Sequence, residues 1–549
     1  MSAAAVHSLW TTAATPISKI EAPKIEYAQL SPILIVVGAA ILGVLIEAVV
    51  PRKSRYHVQT FVAAVALAAA FAGVVALAAD GYATTKSGIA AMGAIAVDGP
   101  ALFLQGVILL SALVALFTFA ERRLDPAAHG NRVDSFAAEA AAVPGSEAEK
   151  DAVKAGFTTT EVYPLLMFAV AGMLLFPAAN DLLTLFVALE VFSLPLYLMC
   201  ALARRKRMIS LEAAVKYFLL GAFASAFTLF GIALLYGYAG SMSYAVIAQV
   251  VDGTVPEVTP ALADTMDNDA LLLVGTALLV MGLLFKVGAV PFHMWTPDVY
   301  QGAPTPVTGF MAAATKVAAF GALLRVLYVV LPGLRWDWRP VMWGVVIITM
   351  LGGAIVAITQ TDIKRLLAYS SIAHAGFILA GVVATTPDGI SSVLFYLAAY
   401  SFVTIGAFAV VTLVRDAGGE ATHLSKWAGL GRRSPLVAAV FAVFLLAFAG
   451  IPLTSGFAGK FAVFKAAAEG GAAPLVVVGV ISSAIAAFFY IRVIVLMFFS
   501  EPRPEGPTVA VPSPLTMTAI GVGVAVTLVL GVAPQYFLDL AGTAGVFVR

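Results

Sequence analysis

The sequence has few of the charged residues that cover a water-soluble protein. Of its 549 residues, 11% are charged and 61% are hydrophobic, so polar side chains are too few to coat a set of soluble domains. The formal net charge is +1, and the basic residues form no continuous face for nucleic acid. We therefore expect an integral membrane protein, surrounded by the lipid bilayer, with no nucleic-acid partner.

Cysteine is also scarce, because Cys200 is the only one in the chain. A single thiol excludes an internal disulfide, a zinc site built on thiolates and an iron–sulfur cluster held by this chain alone. The sequence lacks a phosphate-binding loop, a dinucleotide-binding glycine motif and a cluster of metal ligands. We therefore expect no ATP, NADH, metal or redox cofactor on the chain.

Long apolar runs dominate what is present. Runs of about 20 residues predict fourteen transmembrane helices and an all-α polytopic membrane fold. The predicted spans are 31–50, 58–79, 100–120, 162–179, 181–203, 211–239, 270–290, 302–331, 340–360, 363–385, 390–414, 435–467, 473–499 and 513–541.

Two of the predicted helices, 7 and 12, are interrupted. Span 7 runs into a proline-rich stretch that begins at Pro291, and the sequence GIPLTSGFAGK divides span 12 at Pro452, because proline disrupts a helix interior. Pro291 follows Lys286, whereas Pro452 precedes Lys460. This mirrored order predicts two inverted five-helix repeats, spans 4–8 and 9–13.

The spans divide the chain into six segments. The N-terminus lacks the basic stretch and cleavage pattern of a secretory signal, so we expect it to be a retained lead-in. Lys and Arg concentrate in the loops after spans 1, 3, 5, 9, 11 and 13, which places those loops in the cytoplasm and both termini on the periplasmic side. The segments are the lead-in 1–30, helices 1–3 at 31–120, a cytoplasmic loop at 121–161, the first repeat at 162–331, the second repeat at 340–499 and helix 14 at 513–541.

Ionisable residues inside the spans are the strongest functional signal, because a charge at the bilayer centre costs about 2.5–3.5 kcal/mol or more. Glu190 lies near the middle of span 5, and Lys286 lies in span 7. We expect the two to pair, because an intramembrane lysine would hold the carboxylate ionised. Such a pair either exchanges a proton or is a static ion pair that fixes the contact between helices.

Two further lysines lie inside predicted spans, and Lys316 has no acidic residue nearby in sequence. Lys316 lies among alanines in span 8, and small neighbours leave room for water. Lys460 follows the break in span 12, where unwound backbone can line a wet cavity. We expect both lysines to carry protons, whereas Arg325 and Arg492 lie close enough to span ends to extend their charged groups to water.

Lys216 and two histidines have weaker signals. Lys216 follows Glu212 by four residues, so an ion pair along one helix face explains it as well as a functional role does. His293 lies in the break after span 7 and His374 in span 10. Either can relay protons, because imidazole titrates at about pH 6.5, but a hydrogen-bonded structural histidine explains each equally well.

Four stretches carry a resemblance to a known family: FKVGAVPFHMWTPDVYQGAPTPVTGF, EAAVKYFLLGAFASAFTLFGIALLYG, LFVALEVFSLPLYL and GIPLTSGFAGKF. They resemble the antiporter-like N subunits of bacterial proton-pumping NADH:quinone oxidoreductase, respiratory complex I. The stretch WTPDVYQGAPTPV separates these from the sister L and M subunits. The resemblance implies fourteen helices with inverted repeats, and it assigns proton-path roles to Glu190, Lys286, Lys316, Lys460 and Lys216.

The resemblance also implies a function as a subunit of a proton-translocating enzyme in the bacterial plasma membrane. Electron transfer from NADH to quinone would occur in other subunits, which would hold the FMN and iron–sulfur clusters and bind the quinone. Our own hypothesis for the route is that protons move outward from Lys286 through Lys316 and His374 to Lys460. The expected partners are the M-type antiporter-like subunit and small membrane subunits.

Two other functions stay open at this point. One is a subunit of a multisubunit sodium/proton antiporter, and the other is a transport-silent scaffold that holds neighbouring subunits and lipids. The lead-in and the loop at 121–161 depart from the family pattern, so the resemblance implies no contacts for them.

Overall fold

A computed structural model describes residues 24–122, 133–134, 157–158, 160–203, 207–254, 269–416, 419–502 and 506–548. Most of the lead-in at 1–30 and most of the loop at 121–161 lie outside these described residues. The longer helices are α1 (Tyr27–Val49), α2 (Arg52–Ala79), α3 (Gly99–Phe119), α4 (Val162–Leu175), α5 (Leu182–Cys200), α6 (Arg207–Ala239), α7 (Asp269–Val287), α8 (Thr305–Val330), α9 (Arg335–Ile358), α10 (Ile363–Val383), α11 (Pro387–Leu413), α12 (Pro435–Ala449), α13 (Ser455–Glu469), α14 (Ala473–Phe499) and α15 (Pro514–Val532).

Short elements connect these helices. The connecting helix, Trp295–Gly302, joins α7 to α8. The other short helices are Ala91–Gly93, Phe176–Ala178, Tyr244–Val251, Leu424–Trp427, Leu430–Arg433 and Pro534–Thr543. Gly88–Ala90 pairs with Ile95–Val97 antiparallel, Val133–Asp134 pairs with Phe157–Thr158 parallel, and Val414–Asp416 lies between Gly419–Glu420 and Thr508–Val509.

The all-α polytopic class is confirmed. Among the described residues, 12 helices are long and apolar enough to cross a membrane. Predicted span 4 corresponds to the shorter apolar helix Val162–Ala178, and predicted span 12 corresponds to α12 and α13, of 15 residues each. The count of fourteen spans and the division into repeats at 162–331 and 340–499 stay predictions.

Both predicted interruptions occur in the structure. α7 ends at Val287, and Gly288 adopts a φ of +80° before the chain enters the connecting helix. α12 ends at Ala449, and Gly450 adopts a φ of +82° before α13. A residue with a Cβ is strained at these angles, so glycine ends both helices at little cost.

α8, α10 and α11 form the centre of the bundle. In each of them, 94% of the most apolar 18-residue window is buried, compared with 33% in α1 and 28% in α15. The outer helices therefore expose apolar side chains, as a bilayer requires, while the central helices are enclosed by protein. Lys316 on α8 and His374 on α10 consequently lie far from lipid.

Carboxylate caps begin two of the helices that carry the site. Asp181 accepts a hydrogen bond from the backbone N–H of Thr184 at 2.7 Å, at the start of α5. Asp362 accepts from the N–H groups of Lys364 and Arg365 at 2.9 and 3.1 Å, at the start of α10. These contacts satisfy N–H groups that have no partner within the helix, and they fix where α5 and α10 begin.

Candidate proton-transfer site

Lys286 lies in the last turn of α7 and is 4% exposed. Its Nζ donates a hydrogen bond to Ser193 Oγ on α5 at 2.7 Å. Four aromatic rings have centroids 5.2–5.9 Å from Nζ, a distance at which an aromatic face attracts an ammonium group. These rings belong to Phe192, Tyr197, Tyr217 and Phe285.

Glu190 is half-buried, three residues before Ser193 on α5. Its carboxylate accepts a hydrogen bond from Ser225 Oγ on α6. Among the described residues, no ion pair within 4.0 Å joins Glu190 to Lys286, so the expected direct pairing is not formed. Ser193 gives its own proton to Leu189 O and therefore accepts from the lysine, while Ser225 donates to the carboxylate. Lys286 thus has a neutral hydrogen-bond acceptor, and Glu190 has a neutral hydrogen-bond donor.

Lys316 is 3% exposed and directly follows a π-helical turn, Met311–Thr315, in α8. Its Nζ donates to the carbonyl oxygen of Ser371 at 2.8 Å and to that of Val287 at 3.3 Å. π-helical turns within α-helices are frequent at functional sites. Val287 is the residue after Lys286, so the backbone at the end of α7 connects the surroundings of the first two lysines.

Lys460 lies in α13 and is 5% exposed. Its Nζ donates to the carbonyl oxygens of Phe448 and Ala449 and to Ser483 Oγ, each at 2.9 Å. The two carbonyl groups end α12, where they lack partners within the helix and carry partial negative charge. The break between α12 and α13 therefore forms the acceptor site for this lysine.

His374 bridges two tyrosine hydroxyl groups in the space between Lys316 and Lys460. The imidazole is 2% exposed, and it is hydrogen-bonded through Nδ1 to Tyr396 at 2.7 Å and through Nε2 to Tyr490 at 3.3 Å. Tyr490 is in turn hydrogen-bonded to Ser370. The arrangement provides groups that both donate and accept protons along one side of α10.

A small cavity adjoins His374 at the break between α12 and α13. Its walls include Tyr396, Tyr400 and Ser455. The volume that the centre of a water molecule can occupy in this cavity is about 10 Å³, which is room for about one water molecule. Ser455 Oγ, in the cavity wall, is buried without a hydrogen-bond partner among the described residues.

Lys216 and His293 are less enclosed. Lys216, whose side chain is 42% exposed, pairs with Glu212 at 2.7 Å and with Asp298 of the connecting helix at 2.7 Å. The expected pair along α6 is therefore confirmed, but a second carboxylate shares the lysine. His293 is half-buried, and in the described part of the chain its Nδ1 has no hydrogen-bond partner.

Asp298 also accepts from Arg365 Nη1 at 2.6 Å. Partial burial raises the pKa of this carboxyl, but the hydrogen bonds from Lys216 and Arg365 outweigh that effect. The pKa of Asp298 therefore lies below its ordinary value, and the carboxylate stays charged at neutral pH.

Arg325 does not extend to water, so that expectation is wrong. Its side chain is 1% exposed and bonds Asp98 at 2.7 Å through Nη2 and the carbonyl oxygen of Pro177 at 2.7 Å through Nε. Asp98 also accepts from the N–H of Val548 at 3.0 Å. A buried acid distant in sequence thus neutralises the arginine. Arg492 is exposed, in agreement with the expectation for it.

Sequence reasoning located the charged residues and missed most of their partners. The only sequence signal for these partners is a hydroxyl group one helical turn from a charged residue. Ser193, for example, follows Glu190 by three residues, although it bonds Lys286. Asp298 had a clearer signal, a carboxylate in the proline-rich break. The partners missed are Ser193, Ser225, Ser371, Tyr396, Ser483, Tyr490 and Asp298.

Comparison with protein families gives a match over residues 179–486, to the family described as "NADH:quinone oxidoreductase/Mrp antiporter, TM". A curated relative from Streptomyces griseus, "NADH-quinone oxidoreductase subunit N 3", is 81% identical over 554 aligned positions and covers 100% of both chains. A relative from Rhodococcus opacus, "NADH-quinone oxidoreductase subunit N", is 62% identical and covers 96% of this chain and 98% of its own.

Solved structures share the fold. A chain of respiratory complex I from Thermus thermophilus, with bound aureothin, is 32% identical, has a TM-score of 0.71 and matches over 93% of this chain and 99% of its own. A chain of the Mrp complex from a Dietzia species has a TM-score of 0.76 at 23% identity, over 95% of this chain and 97% of its own. The second likeness is one of fold alone.

Proposed function

The chain belongs to the family of NADH:quinone oxidoreductase and Mrp antiporter membrane subunits, and from that premise we propose how it moves protons. It is a proton-translocating membrane subunit of an NADH:quinone oxidoreductase, and its curated relatives are named as subunit N of that enzyme. Its partners are other membrane subunits of that complex. The protein is thus a subunit of a translocase.

One observation carries the proposed path: three lysines, Lys286, Lys316 and Lys460, are buried and are hydrogen-bonded to neutral acceptors. Two of them lie at the breaks after α7 and α12, and the third lies on the central helix α8. A buried cation without a fixed counter-ion is costly to keep and readily gives up its proton. Such lysines suit proton transfer better than static support.

The path runs in steps that follow these contacts. A change in the field at Glu190 releases the proton of Lys286, which passes to Lys316 by way of water. From Lys316 the proton moves past His374, whose two tyrosine partners complete a relay, and on to Lys460. Lys216 feeds the path from the cytoplasmic side, and His293 relays protons through the break beside Lys286.

Redox chemistry lies in other subunits. We assign the iron–sulfur clusters to those subunits, because Cys200 is the single thiol of the chain and one thiol cannot ligate a cluster alone. FMN and the quinone are assigned to the same subunits on the resemblance to respiratory complex I. The protein lies in the bacterial plasma membrane with both termini on the periplasmic side, an orientation supported by the loops rich in Lys and Arg.

A sodium/proton antiporter subunit is the less supported alternative. The Mrp chain shares the fold at 23% identity, whereas the relatives named for NADH-quinone oxidoreductase reach 81%. A transport-silent scaffold would not need buried lysines, since neutral residues would fill the same space at lower cost.

Lys316→Met tests the proposal in membranes that contain the whole complex. NADH oxidation and acidification are followed in parallel, and assembly is checked on a native gel. We expect both activities to fall while assembly is retained. Lys465→Met is the matched control, because Lys465 forms an exposed pair with Glu469 on α13. Wild-type rates in Lys316→Met would favour the scaffold.

A further inference from the structure

The connecting helix contains a carboxylate that is shared between the two predicted repeats. The helix packs against α6 of the first repeat and α10 of the second. Asp298 Oδ2 accepts from Lys216 Nζ at 2.7 Å, and Asp298 Oδ1 accepts from Arg365 Nη1 at 2.6 Å. Each oxygen of one carboxylate therefore bonds a cation from a different repeat.

Docking of the connecting helix does not require this charge. Lys364 Nζ donates to the carbonyl oxygen of Ala303 at 2.7 Å, and Arg365 donates to Gln301 Oε1 at 3.1 Å. Both contacts hold the end of the connecting helix on α10 through neutral acceptors. What Asp298 adds is a negative charge placed between two cations.

Arg365 stands on the helix that also carries the central part of the proton path. Ser371, whose carbonyl oxygen accepts from Lys316, follows Arg365 by six residues on α10. Six residues of an α-helix span about 9 Å, and a helix moves as a rigid element over that distance. A change in the electrostatic attraction between Asp298 and Arg365 therefore shifts the carbonyl group of Ser371, which accepts the hydrogen bond from Lys316.

We infer that Asp298 is a positioning residue that couples the charge of Lys216 on α6 to the placement of α10 and the acceptor of Lys316. The inference rests on the proposed function. A charged Lys216 shares the carboxylate with Arg365. When Lys216, whose side chain is 42% exposed, turns away to the cytoplasmic surface, the carboxylate pairs with Arg365 alone. Glu212, the other carboxylate on Lys216, forms no hydrogen bond or ion pair with α10 among the described residues.

Asp298→Asn tests the inference in the whole complex. The amide has the same shape but no charge, so we expect NADH-driven proton transport per assembled complex to fall about fivefold. Asp298→Glu restores the charge and should recover most of the rate. Glu469→Gln, which neutralises an exposed carboxylate paired with Lys465, is the matched control and should leave the rate unchanged.

A comparison of single and double variants tests whether Asp298 and Arg365 act together or only stabilise the fold independently. Arg365→Gln should lower transport in the wild-type background but by less than about twofold in the Asp298→Asn background, because the shared carboxylate is already lost. Independent losses that multiply would overturn the inference. A wild-type rate in Asp298→Asn would do the same.

Two further outcomes are informative. If Asp298→Asn does not assemble, Arg365→Gln alone carries the test, since Lys364 still holds the connecting helix on α10; normal transport in that variant overturns the inference. If Asp298→Asn is neutral while Lys316→Met abolishes transport, the inference fails and the proposed proton path stands.

Discussion

Glu190 and Lys286 are each held by a serine instead of by one another. Lys286 Nζ donates to Ser193 Oγ at 2.7 Å, and Glu190 accepts from Ser225 Oγ. The structure shows the acid and the base separated, and we expect a direct Glu190–Lys286 pair to be the competing arrangement. The serines therefore set how readily the two charges meet.

Ser193→Ala is expected to favour the direct Glu190–Lys286 pair. It removes the one hydrogen-bond acceptor that Lys286 has among the described residues. A hydrogen bond to a charged group is worth about 1.5–3 kcal/mol, so we expect NADH-driven proton transport to fall roughly tenfold or more. Acidification and NADH oxidation in membranes measure the effect.

Ser391→Ala is the control for that variant, because Ser391 is partly exposed and its one hydrogen bond among the described residues goes to the carbonyl oxygen of Asp388 in its own helix. Equal rates in the two variants would contradict a role for Ser193. Ser193→Thr keeps the hydroxyl group and should retain most of the transport.

Gly450→Ala is expected to harm both the backbone and Lys460. A Cβ at Gly450 would lie 3.0 Å from Lys460 Cδ and 3.2 Å from Nζ, at a φ of +82°. The strain of a left-handed alanine costs about 1–2 kcal/mol, and the added contact displaces the lysine from its acceptors. We expect lower thermal stability and slower proton transport per assembled complex.

Gly471→Ala separates these two effects. Gly471 has a φ of +78°, and a Cβ there would meet no atom within 4 Å. It should show the same backbone cost without loss of transport per complex. If both variants lose transport equally, the contact with Lys460 is not the cause.

The helices and both breaks could be predicted because their signals are local. Apolar runs, Pro291, Pro452 and the glycine-rich stretch around Gly456 lie within the segments whose shape they decide. The placement of Lys286 and Lys460 beside the breaks followed from the same stretches.

The contacts of the site could not be predicted because their signals are not local. Lys316 is held by a backbone carbonyl group 55 residues away, and every residue type carries such a group. Ser193 lies three residues after Glu190 in sequence. Nothing in the sequence indicated that Ser193 would accept the hydrogen bond from Lys286 in place of Glu190. Arg325 was misjudged for the same reason, since its partner Asp98 lies 227 positions away.

Asp98→Asn is expected to destabilise the protein without a specific effect on proton transfer. Asp98 is 0% and Arg325 1% exposed, and breaking a buried pair by removing one charge costs about 3–5 kcal/mol. The amount of assembled complex on a native gel and its melting temperature should fall, while transport per surviving complex stays near wild type.

Asp388→Asn, at an exposed position on α11, should change neither quantity. Adding Arg325→Met to Asp98→Asn removes the unpaired charge and should recover part of the stability. Normal stability with lost transport in Asp98→Asn would instead place this ion pair in the proton path.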